Sequence, residues 1–493
     1  MAMWAALLLP LLLINAQDVG AKQDGKPAAQ PTPEPHRATV LEKIDPIWVR
    51  GHSDIPLSMD LFLSRIHGPL CVCSVSALRS LDVKGRRLDP SRALLSAPAL
   101  GIRSASPTLY RASDVFESAT VSFWCIDADA ESQFLNSSQS NVSIALAYGG
   151  KSWRREIPYD RESLHGPGMQ VFVPHQPSFA VFTLFRPDAG SGTAWLQMWL
   201  TLGASHVYLY LNANTTSLTG PATARLEALL AAFPRHVTMM PWPFDFYAGE
   251  RNFGIVTGLT SAFYRWGHLY THVCFFDFDE YPVFGGGEGL PLLLPGRSSA
   301  KAAFTAAPRN GASPPPPPLG NASALAFLER YRNFEWIKLR QTPAVIVAPP
   351  TWSAGSNGSG GVEVGATAPG LAMRRWPGVV LDKRHKTFTR TPRGDAWAAG
   401  KAVVGPKGGR IKLPTNHGPF LKAKEESAGV VAAASSHAYF LHVMNIGKHV
   451  SIDGRTLTAW SAAATEVDAA FAAQLAAVAA GPFSRPGKTP PPT

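Results

Sequence analysis

Between Phe179 and Phe276 the chain alternates four short apolar runs with three stripes of helical spacing, and this alternation restricts its fold more than any other feature. The runs are Phe179–Phe185, His206–Leu211, Val237–Met240 and Val273–Phe276. Among the stripes, Thr193–Gly203 carries Trp195, Met198, Trp199 and Leu202, and Ala222–Phe233 and Phe253–Trp266 show similar spacing. A strand that is apolar at every position is buried on both faces, and crossover helices between parallel strands are what bury it. The expected fold is α/β, with a mostly parallel sheet covered by helices.

The fourth run leads directly into Asp277-Phe278-Asp279-Glu280. Ligands of open α/β sheets gather at the carboxyl ends of the strands, which is where these acids fall. Read as a continuing strand, positions i and i+2 share a face, so Asp277 and Asp279 converge. Two hard carboxylates so placed suit Mg²⁺ or Mn²⁺. An ion held there can bridge the diphosphate of a nucleotide sugar. Asp-x-Asp is a common triplet and most often a solvated turn; its place after a fourth strand gives it weight.

Around this core the chain divides by composition. Residues 1–17 read as a signal peptide or short signal anchor, because Met3–Ile14 is apolar apart from Pro10. Such a run reaches about 18 Å as a helix, short of the roughly 30 Å of a bilayer core, so membrane association through it is an expectation only for an anchor. Residues 18–37 read as a linker or stem and 38–175 as a β-rich N-terminal domain. The nucleotide-sugar domain is expected over 176–460, a helix over 461–480 (its stripe Ala462–Ala479) and a disordered tail over 481–493. Gly285–Gly320 and Ser353–Gly370 read as loop insertions.

The net charge of +11, from 46 basic and 35 acidic side chains, favours anionic partners. The basic residues are scattered and form no nucleic-acid module, so nucleic acid is not expected as a partner. Sequons at Asn136, Asn141, Asn214, Asn321 and Asn357, together with the apolar start, point to the secretory pathway. Four cysteines are too few for a disulfide scaffold; one bridge from Cys71 or Cys73 to Cys125 is expected, with Cys274 a buried thiol. Nothing in the sequence fixes an oligomeric state.

The segment Phe276-Asp277-Phe278-Asp279-Glu280-Tyr281-Pro282-Val283 resembles the Asp-x-Asp-Glu-Phe segment of glycosyltransferase family 92. Further pieces follow in that family's order: Val207–Asn212, Met240-Pro241-Trp242-Pro243, Phe334-Glu335-Trp336, Lys386–Arg390, and the late histidines His417 and His442. The resemblance covers roughly Ala180 to Lys448. The sequence departs from it at Thr260-Ser261-Ala262, where the family often has Asn-Asp-Cys, and at Asn212, Thr391 and Val443. The resemblance implies a GT-A fold and an inverting hexose transfer, galactose favoured, from a donor such as UDP-galactose to a glycan or glycoprotein acceptor. A Golgi lumenal location is the corresponding expectation, with secretion as the alternative.

Inversion needs one base to deprotonate the acceptor hydroxyl. Glu335, between Phe334 and Trp336, is the candidate, with Asp382 and Asp395 in reserve; a surface glutamate between core aromatics is the plain alternative. His442, in the apolar strand Ala438–Val443, is a candidate to complete the metal site, and His417 is a second; a satisfied core histidine is the alternative for each. Lys386 and Arg390 are candidates for the diphosphate. Arg186 and Asn212, just past the first two strands, are candidates for uracil or ribose. Two other classes compete with the transferase: a carbohydrate-binding or degenerate protein without turnover, and a glycosidase. The second is disfavoured because paired glycosidase carboxyls face each other across a sugar ring.

Overall fold

A computed structural model of the chain describes 56–158 with short gaps, then 178–185, 192–211, 236–244, 253–284, 324–331 and 336–348. It also describes isolated residues between 39 and 49, 230 and 233, short strands between 354 and 467, and the helix 469–480. The N-terminal part contains β1 (Asp60–Ser64), β2 (Cys71–Ser76), β3 (Leu94–Ala97), β4 (Ile102–Ala105), β5 (Thr108–Ser113), β6 (Ser118–Cys125), helix α1 (Ala128–Leu135), β7 (Asn141–Tyr148) and β8 (Lys151–Pro158). They form two four-stranded sheets, ordered β1-β2-β6-β5 and β4-β3-β7-β8. Leu63, Val72 and Trp124 of the first sheet share a core with Leu95, Ile144 and Leu146 of the second. Alternation sends the next residues, Phe62, Cys73, Val75 and Phe123, into a different core. The expected β-rich region is thus a sandwich whose first sheet is buried on both faces.

The alternating segment is β9 (Phe179–Phe185), α2 (Gly192–Thr201), β10 (His206–Leu211), β11 (Val237–Pro241), α3 (Phe253–Trp266) and β12 (His272–Phe275). β9, β10, β11 and β12 pair in parallel, in the order β11-β10-β9-β12. The expected helix Ala222–Phe233 lies outside the described residues, apart from Leu230 and Phe233. Each strand feeds two cores: Phe179, Val181, Val207 and Leu209 join Trp195 and Trp199 of α2. Ala180, Phe182, Tyr208 and Tyr210 join Leu259, Phe263 and Trp266 of α3. Helix α2 stops where Gly203 takes φ +97°, a left-handed geometry that only glycine adopts without strain. Gly258 lets α3 approach the sheet, since a Cβ there would meet Leu184 and Trp242 at 3.1–3.2 Å.

Helix α3 is apolar nearly all round because its other side packs on the sandwich. Asp60 of β1, only 4% exposed, accepts from Ser261 Oγ (2.5 Å) and Arg265 Nη2 (2.6 Å) of α3. Tyr210 Oη lies 2.8 Å from the same Ser261 hydroxyl. The sandwich and the α/β region therefore meet over one continuous core within the unit His36–Thr493. The disulfide forms between Cys71 and Cys125, which face each other across β2 and β6. Cys73 and Cys274 are free thiols, both buried, and burial pushes both upward in pKa.

Beyond β12 come β13 (Glu280–Phe284), α4 (Ala324–Arg330), β14 (Trp336–Ala348), β15 (Ala372–Arg375), β16 (Gly400–Val404), β17 (Ala438–Val443), β18 (Glu466–Val467) and α5 (Ala469–Ala480). β16 pairs antiparallel with β12 and β14, so the sheet becomes mixed; it counts twelve strands among the described residues. The last helix begins seven residues later than its composition predicts, because Glu466–Val467 pairs with β15 instead. In the expected insertion Ser353–Gly370, Ala354–Gly355 and Glu363–Val364 form a short ladder; Gly285–Gly320 lies outside the described residues. Among the described residues no helix is long and apolar enough to cross a membrane; the N-terminal apolar run is not among them.

His206, at the start of β10, supplies a pH dependence. It is buried, and desolvation first, then the charge of His236, lowers its pKa from 6.5 to about 3. Its Nε2 sits 2.8 Å from Thr238 Oγ1. The unfolded chain takes up a proton below pH 6.5 that the native chain refuses until about pH 3. The stability from this group is therefore complete above pH 6.5 and falls as the pH drops through that window, by up to about 1.4 kcal/mol per unit. Urea midpoints measured at pH 7.5 and 5.5 are expected to show this fall, and His206→Gln is expected to flatten it.

Candidate metal centre

The acidic segment is not a continued strand. β12 ends at Phe275, and Phe276 N–H extends the ladder by one bond to Phe182 O (3.3 Å). The chain then turns: Glu280 N–H donates to Asp277 O (3.0 Å), and Glu280 Oε2 accepts from Asp277 N–H (2.9 Å). These reciprocal bonds close a four-residue turn. Inside it Phe278 points into the core and stacks on Trp195, with ring centroids 4.5 Å apart. Trp195 Nε1 also donates to Glu280 O (2.9 Å). A buried ring thus anchors the middle of the turn, and the residues beside it, Asp277 and Asp279, are partly exposed.

The second wall comes from the far end of the chain. β13 pairs antiparallel with β17, and Glu280 stands opposite His442 in the register. His442 Nε2 lies 3.3 Å from Asp279 Oδ2. One ligand atom each from Asp279, Glu280 and His442 lie within 4.8 Å of one another, the group among the described residues able to hold an ion. Two ligands about 2.1 Å from one octahedral ion sit about 3 Å apart at a right angle and about 4.2 Å apart across it. The donor set, two carboxylates and an imidazole, suits a divalent cation without singling one out: carboxylates suit Mn²⁺ or Mg²⁺, and imidazole suits Zn²⁺ or Fe²⁺. Glu280 is 2% exposed, whereas the side chains of Asp279 and His442 are 28% and 20% exposed, so the group opens to solvent on one side.

This changes the reading of the acidic motif. The convergence of Asp277 with Asp279 rested on strand alternation, and a turn does not alternate. Asp277 meets Glu280 through its backbone N–H instead, while Glu280, not assigned as a ligand from the sequence, takes a place beside Asp279. The signal that finds Glu280 is its pairing with His442, which lies 162 positions later in the register. His442 lies on β17 beside Asp279. Trp336 packs against the core under α3, which gives its ring a packing role. The departure Thr260-Ser261-Ala262 lies in α3, where Ser261 holds the sandwich through Asp60. Arg186, Asn212, Glu335, Lys386, Arg390, His417 and Asp395 lie outside the described residues, and only the backbone of Asp382 is described.

No known family model matches the chain, and no curated protein matches it significantly.

Proposed function

We propose that the protein is a divalent-cation-dependent glycosyltransferase with a GT-A-type domain, moving a hexose from a nucleotide-sugar donor to a glycan acceptor with inversion. The observation that carries this reading is the group Asp279, Glu280 and His442 at the end of β12. In chain order the parallel strands run third, second, first, fourth across the sheet, so connections leave in opposite directions from between β9 and β12. The carboxyl edge at such a switch point is where open α/β sheets bind nucleotides. A bound Mn²⁺ or Mg²⁺ would offset the negative charge that builds on a departing diphosphate.

The chain's own residues do the positioning. Phe278 and Trp195 fix the turn, Glu280 ties it closed, and His442 closes it from β17. Glu335 remains the proposed base, Lys386 and Arg390 the proposed diphosphate ligands, and Arg186 and Asn212 the proposed nucleoside contacts. UDP-galactose is the favoured donor from the family 92 resemblance. The Cys71–Cys125 disulfide supports synthesis in an oxidising compartment, in keeping with a secretory, Golgi lumenal location.

The test is a nucleotide-sugar screen of the full chain, reading donor hydrolysis and transfer with Mn²⁺ and again in excess EDTA. Turnover that EDTA removes supports the transferase; Mn²⁺ and donor binding without turnover favours a degenerate binding protein. His442→Ala is expected to weaken Mn²⁺ affinity about tenfold, about 1.4 kcal/mol, measured by calorimetry.

A further inference from the structure

Gln341, on β14, makes a contact that the proposed reaction does not itself require. β14 lies parallel to β17, with Gln341 opposite Phe440 and Pro343 opposite His442. The Gln341 side chain reaches past this register and its Nε2 donates to His442 Nδ1. At 4% exposure this amide is buried, where an unpaired polar group is costly and a paired one holds its geometry. His442 is therefore gripped on both ring nitrogens, by Gln341 at Nδ1 and by Asp279 at Nε2. With Nδ1 accepting, the neutral ring carries its proton on Nε2, the atom that faces the carboxylate.

Resting on the metal-centre reading, we infer that Gln341 is a positioning residue that sets the tautomer and ring orientation of His442 and thereby tunes divalent-metal affinity. A metal-bound imidazole must free Nε2 and carry its proton on Nδ1. A primary amide serves both states: its N–H₂ faces a bare Nδ1, and a half-turn about its last bond presents Oε1 to Nδ1–H. The proton count does not change, because one proton leaves Nε2 and one arrives at Nδ1. No other uncharged side chain of this size offers both a donor and an acceptor from one buried position.

Two measurements on the full chain test this. In metal-free protein labelled with ¹⁵N-histidine, the His442 resonance, identified by its loss in His442→Asn, is expected to show the Nε2–H tautomer. Gln341→Leu is expected to shift it toward a mixture. By calorimetry, Gln341→Leu is expected to weaken Mn²⁺ binding about tenfold, because the metal-bound ring loses the Oε1 acceptor for its Nδ1–H. Gln341→Glu, whose carboxylate accepts from Nδ1–H, is expected to restore it, which a purely packing role would not do; urea unfolding checks that each variant is folded. If Gln341→Leu leaves both tautomer and affinity at native values, the inference is overturned; if Gln341→Leu does not fold, failure of Gln341→Glu to match native Mn²⁺ affinity overturns it. If the native chain takes no Mn²⁺ while the tautomer still shifts, the hydrogen bond stands and the metal-centre reading fails.

Discussion

Under the proposed transferase activity, replacing Asp279 with alanine is expected to cut nucleotide-sugar turnover about 1,000-fold, equivalent to about 4 kcal/mol of transition-state stabilisation. Asp279 is the most exposed member of the three-residue group and the one whose carboxylate faces His442 at 3.3 Å. Its loss leaves Glu280, one of whose oxygens is already committed to the Asp277 N–H, and a single imidazole. Two ligands on opposite strands hold an ion poorly, and charge on a leaving diphosphate would go largely uncompensated. Stability should change little, since a partly exposed hydrogen bond contributes about 1 kcal/mol. The paired readouts are turnover against Mn²⁺ concentration and the urea midpoint. Native turnover in the alanine variant would remove Asp279 from the machinery.

The largest effect on stability is expected at the sandwich. Asp60→Ala leaves the Arg265 guanidinium, 20% exposed, facing a hole, and strips Ser261 of its acceptor. Removing one partner of a buried pair costs about 3–5 kcal/mol because the survivor stays desolvated. The exposure of Arg265, together with its stacking 4.4 Å above the Phe62 ring, argues for about 3 kcal/mol. Ser261→Ala should cost only about 1 kcal/mol, since the ion pair survives it. Urea unfolding of the two variants gives the comparison; equal losses would show that the ion pair contributes nothing.

What the sequence showed well was short-range. Phe179–Phe185, His206–Leu211, Phe253–Trp266 and Ala438–Val443 were all legible, because burial on two faces leaves a continuous apolar signature. The acidic segment stood out in the sequence, but it was read as a continued strand and is a turn. Asp277-Phe278-Asp279 has the period of either, and the stacking of Phe278 on Trp195, 83 positions away, decides between them. Glu280's neighbours were hidden for a related reason: only the register of β13 with β17 sets it opposite His442. The grip of Asp60 on Ser261 spans 201 positions, and no local pattern announces it. At Glu466–Val467, inside the expected helix, the chain instead pairs with β15.

The strand that carries Glu280 is held from one more direction. Gln474 of α5, 4% exposed, accepts from Phe284 N–H through Oε1 (3.3 Å) and donates to Pro282 O through Nε2 (2.7 Å). Both His442 and this clamp come later in the chain than the parallel strands β9–β12. During synthesis the parallel strands β9–β12 can pair before β17 and α5 exist, so a nascent chain would carry a sheet in which Asp279 and Glu280 still lack His442. Assembly of that group thus waits on synthesis through β17 and α5, and a chain stopped short of β17 would keep much of its core while lacking the histidine wall.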